Sequence, residues 1–139
     1  MNSQFSLRAV FGGLILFAFA GLGPATAADP APTAPKPELP MTGINLPRPV
    51  GGWINVEAVG IRLVVKFFDQ DKEPTAPDVS SGLVRLRYPG KGSERAVLNL
   101  ENDTMVTPAT VRPPHNFFVI LNLFFEGTAE AETHTFKYP

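Results

Sequence analysis

From Gly51 to the end of the chain, apolar residues come in short runs rich in β-branched and aromatic types, and turn residues separate the runs. No stretch there keeps a helical period long enough for an amphipathic helix, so the segment is predicted to be all strand and turn. Trp53–Val59 and Ile61–Phe68 are the first two runs. In Gly82–Tyr88, Leu83, Arg85 and Arg87 alternate with Val84, Leu86 and Tyr88. Pro89-Gly90-Lys91-Gly92-Ser93 reads as a tight reversal into Glu94–Leu100, where Ala96, Leu98 and Leu100 share one face. Glu101-Asn102-Asp103 turns again. Met105–Val111 is a weaker strand interrupted at Pro108, the pattern of an edge or a bulge. Asn116–Phe125 is apolar on both faces and reads as central, and Thr128–Tyr138 supplies the last strand.

Seven short strands in about 90 residues argue for a single antiparallel β-sandwich of immunoglobulin-like or fibronectin-like type. Its predicted core is Ile54, Val56, Leu63, Val65, Phe67, Val84, Leu86, Leu98, Phe117, Val119, Leu121 and Leu123. The second face of Asn116–Phe125, with Phe118, Ile120 and Phe124, needs a cover of its own, from another strand or from a partner.

The N-terminal part has a different texture. Arg8 precedes Ala9–Leu22, which carries no charge, and Ala25-Thr26-Ala27 offers the small residues read by a signal peptidase. Residues 1–27 therefore read as a secretory signal peptide, with the protein exported to the periplasm or secreted. The alternative is an uncleaved anchor, but a span needs about 20 apolar residues and this run is shorter. Residues 28–49 read as a Pro-rich disordered tail or linker: seven of the fifteen prolines fall between Asp29 and Pro49, where missing N–H groups exclude helix and central strand. Leu39-Pro40-Met41-Thr42-Gly43 within it matches the five-residue sortase pattern without the apolar and basic residues that follow a working signal. Residues 50–139 form the predicted domain.

Composition narrows function more by exclusion than by assignment. With no cysteine, lipid attachment at a lipobox cysteine, disulfides and thiol chemistry are out, and the core alone must hold the fold. Once residues 1–27 are removed, 11 basic and 13 acidic side chains remain, too balanced for a nucleic-acid footprint. No nucleophile elbow, triad spacing, phosphate loop or dinucleotide fingerprint is present, and the reading is non-enzymatic. Asp69-Gln70-Asp71-Lys72-Glu73 lacks the turn glycine of a calcium loop. Trp53, Tyr88 and Tyr138 suit ring packing better than a sugar platform.

The most chemical stretch is Glu130-Ala131-Glu132-Thr133-His134. On a regular strand Glu130, Glu132 and His134 fall in one row, about 6.5–7 Å apart at Cα. Carboxylates with an imidazole would suit copper or zinc; a solvated edge strand is the competing explanation. From Gly51 to Phe125 the chain resembles small periplasmic β-sandwich domains found beside bacterial heavy-metal efflux components. The features that carry this are Gly51-Gly52, Val64-Val65-Lys66-Phe67-Phe68-Asp69, Asp71-Lys72-Glu73-Pro74 and Gly82-Leu83-Val84. Where those domains often place histidine before the glycine pair, this chain has Val50. The expectation is an exported binding or structural module of the cell envelope whose partner is another envelope protein, with a periplasmic metal-binding accessory domain as the alternative.

Overall fold

The computed structural model describes residues 30–139, so the signal-peptide reading lies outside the described residues. Pro35–Pro139 form one compact unit. It is all-β and antiparallel: β1 (Ile44–Pro47), β2 (Trp53–Val59), β3 (Arg62–Phe68), β4 (Pro74–Thr75), β5 (Ser81–Tyr88), β6 (Gly92–Glu101), β7 (Thr104–Val106), β8 (Phe117–Phe124) and β9 (Ala131–Tyr138). They pair in the order β1-β2-β3-β7-β6-β5-β8-β9, with β4 added against β3. β6 turns the corner, pairing with β5 through Gly92–Leu98 and with β7 through Asn99–Glu101. One sheet thus curls into a nearly barrel-shaped wall around a single core.

All twelve residues expected in the core are buried, joined by Met105, Val111 and Tyr138. Each of those twelve side chains lies on the inward side of a strand, where burial of an aliphatic or aromatic group contributes about 1.5–3 kcal/mol. Turn chemistry sets the registers. Glu101 pairs with Thr104 across Asn102 and Asp103, and both central residues have positive φ, the backbone of a tight hairpin whose twist matches its strands.

Three elements depart from the sequence expectation. Ile44–Pro47, within the stretch read as tail or linker, pairs with β2 as β1. Proline is tolerated there because β1 is an outermost strand and Pro47 closes it. The short β4 begins at Pro74 and lies off the main strand path, against β3. β7 is an interior strand rather than an edge, held between β3 and β6. Beyond it, the Thr107 hydroxyl accepts the Leu63 N–H at 2.8 Å and the Thr107 N–H donates to the Leu63 carbonyl at 2.9 Å. The chain then leaves the sheet at Pro108, and Val111 drops into the core.

Among the described residues no strand ladder joins β9 to β1, and side chains close that seam. The Tyr138 hydroxyl accepts the Ala58 N–H at 2.9 Å, where β2 extends past the end of β1. Phe117 stacks on Tyr138, rings 5.2 Å apart, and lies 5.3 Å from Tyr88. Trp53 stands at the other end of β2 from Ala58, so these three amphipathic aromatics do not gather into a platform.

Candidate functional site

At the other end of the seam lies a buried polar cluster. β9 presents Glu132, His134, Phe136 and Tyr138 on its inward side by the two-residue strand period. Glu132 is buried, and just past the end of β1 so is Arg48. Arg48 Nε donates to Glu132 Oε1 at 3.0 Å and Oε2 at 3.2 Å, and Nη2 donates to Oε2 at 2.9 Å. Nη1 donates to Asp78 Oδ1 at 2.8 Å. The guanidinium lies 5.3 Å from the Phe67 ring centre. His134 Nε2 is 2.6 Å from Glu132 Oε1, and because an ionised carboxylate only accepts, that nitrogen carries the proton. Burial works to raise the Glu132 carboxyl pKa, but the hydrogen bonds from Arg48 and His134 outweigh it and hold it below the ordinary range. Burial likewise opposes the Arg48 charge, and the bonds to Glu132 and Asp78 keep its pKa raised.

The structure therefore brings two of the three expected ligands together. Glu132 and His134 touch, whereas Glu130 is exposed and precedes β9. Glu130 and Glu132 line a cavity of about 420 Å³ beside Phe125 and Pro49. Among the described residues no group of three or more histidine, aspartate or glutamate side chains converges to hold a metal. For copper or zinc, Glu132 and His134 would supply one carboxylate and one imidazole, in competition with the Arg48 guanidinium. Sequence reasoning placed Glu132 and His134 on one face but missed that the face looks inward; Phe136 and Tyr138 at the same parity were the available signal. It missed Arg48 altogether, since nothing about a lone arginine between Pro47 and Pro49 marks it as a core group.

A second candidate is the outward face of β6-β5-β8-β9. Register aligns Arg95 with Arg85 and Arg85 with Ile120. In the adjacent row Arg87 and Lys137 flank Phe118. Phe118 is 49% exposed, and among the described residues no further strand lies over it. A recess of about 360 Å³ opens beside it, walled by Arg87, Pro89 and Gly90. No acidic residue occupies an outward position on these strands over Gly92–Leu98, Ser81–Tyr88, Phe117–Phe124 and Ala131–Tyr138. None of the ion pairs among the described residues includes Arg85, Arg87, Arg95 or Lys137.

Compared with family models, with curated proteins and with solved structures, the chain gives no match.

Proposed function

We propose that this protein is a non-enzymatic binding module of the cell envelope, exported behind its N-terminal segment and built as an immunoglobulin-like or fibronectin-like sandwich. Strand order supports the architecture. With β1 and β4 set aside as additions, the remaining seven follow the path β2-β3-β7-β6-β5-β8-β9. Lettered in order of appearance, this path reads A-B-E-D-C-F-G, which matches the neighbour order within the A-B-E-D and C-F-G sheets of a constant-type immunoglobulin domain. The D strand here bridges the two by pairing with both E and C. The binding role rests on one observation: the outward row of β8 leaves Phe118 half exposed and Ile120 partly exposed on a face that, among the described residues, no further strand covers. Aromatic and aliphatic groups in such a position are the usual anchors of protein interfaces. The test is a photo-crosslinking residue placed at Phe118, and separately at Val59 on β2, in cells that make the protein. A discrete adduct from position 118 and none from 59 is expected. Adducts from neither, or equally from both, contradict the reading.

A second reading, a periplasmic accessory domain for copper or zinc, rests on the approach of His134 to Glu132. Calorimetric titration with each ion tests it: binding tighter than about micromolar that disappears in His134→Ala supports it, and weaker binding or no effect of the substitution removes it.

A further inference from the structure

We infer that the outward face of β6-β5-β8-β9 recognises a carboxylate-bearing polypeptide surface, one that sets an apolar side chain between acidic groups. The inference rests on the binding reading given above and names the chemistry of the partner. Three features lead to it. First, Arg85 and Arg95 stand directly opposite each other in the ladder, an arrangement that costs stability in an isolated sheet and that an anion seated between them relieves. Second, Arg87 and Lys137 bracket Phe118 from both neighbouring strands, so an apolar anchor sits between two positive charges. Third, the recess beside Phe118 offers a concave seat for a side chain of the partner.

The occupant follows from these features. An isologous pairing of two copies through this face would set arginine against arginine, because each copy presents the same patch. A lipid bilayer has no side chain to fill the recess, and surfaces that bind bilayers by charge rely on clustered lysine as readily as arginine. Here arginine outnumbers lysine three to one beside an exposed aromatic residue, two residue types enriched at protein interfaces. Its planar fork takes a carboxylate through two parallel hydrogen bonds.

The test uses the full chain and a short capped peptide, Glu-Glu-Phe-Glu-Glu, with Gln-Gln-Phe-Gln-Gln as control. Titration is followed by backbone and arginine Nε–H resonances. Expected are shifts confined to Arg85, Arg87, Arg95, Lys137 and Phe118, and binding about tenfold weaker or more in Arg85→Gln/Arg95→Gln. Binding should also weaken with added salt and be lost with the glutamine peptide. Equal binding of both peptides, shifts on another surface, or no shift at millimolar peptide overturns the inference. So does retention of the chain on phosphatidylglycerol vesicles, lost in the same double variant, when the peptide does not bind. A crosslink from position 118 without acidic-peptide recognition discards only the partner chemistry. Loss of the crosslink itself discards the binding role.

Discussion

The two outward faces of this curled sheet treat charge in opposite ways. On the β2-β3-β7 side, Lys66 reaches Glu57 at 3.2 Å and Arg62 reaches Glu101 at 2.5 Å. There the segment before β1 also lies on the sheet: the Asn55 amide donates to the Thr42 carbonyl and to Asn45, both at 2.8 Å. At the seam, the buried Arg48 is neutralised by Glu132 and Asp78. On the β6-β5-β8-β9 side, none of the ion pairs among the described residues includes Arg85, Arg87, Arg95 or Lys137, and Arg87 and Lys137 flank the half-exposed Phe118. Charges that serve the fold are compensated within the fold. A face left uncompensated is free to be compensated by something else, and this contrast yields predictions of opposite sign.

The largest effect is expected at the seam. Glu132→Ala leaves the buried Arg48 guanidinium with only the half-exposed Asp78 among its present carboxylate partners, and breaking a buried pair from one side costs about 3–5 kcal/mol; denaturant unfolding should show it. A loss below about 1 kcal/mol would mean that solvent reaches Arg48 and that the seam is not closed.

Acid should act on the same group. The Glu132 pKa is lowered in the folded state, so its contribution is complete above the unfolded value near 4.5 and is lost as pH falls through the lower folded value. The midpoint of thermal unfolding should therefore drop below that pH in the native chain. The drop should be shallower in Glu132→Gln, which has no carboxyl to titrate there.

Smaller effects distinguish the two faces directly. Glu57→Gln removes the partner of Lys66, and a loss within about 1 kcal/mol is expected for a partly solvated surface pair. The Glu57 carboxyl is held below its usual range by a hydrogen bond with Thr42, against the opposing effect of burial and with help from Lys66. On the other face the sign reverses. Arg85→Gln relieves the repulsion from Arg95 and should raise stability by a few tenths of a kcal/mol, up to about 1. A loss of stability there would mean that the arginine stems pack against Ile120 and serve the fold.

Much of the wall was legible in the sequence, because alternation at period two names both the strand and its buried side. All twelve expected core residues are buried for that reason. β1 was hidden by Pro47 and the prolines on either side of it, since propensity argues against a strand that only edge position and β2 make possible. The brevity of β7 disguised an interior strand, because Thr107 and the loop to Val111 complete its pairing through a hydroxyl and turn hydrogen bonds. Glu132 and His134 were legible as neighbours on one face, but their burial depends on Arg48, which is 84 residues away in the chain. The cationic face had the same limitation. Arg85 and Arg87 are visible as an alternating pair, whereas the opposition of Arg95 and the flanking by Lys137 exist only once β5, β6, β8 and β9 are in register.

A partner-binding role for Arg85 and Arg95, kept at a cost to the fold, is tested most directly by measuring thermal stability and the Phe118 crosslink together in Arg85→Gln/Arg95→Gln. A higher unfolding midpoint and a lost adduct are expected. A lower midpoint with the adduct retained would contradict that role.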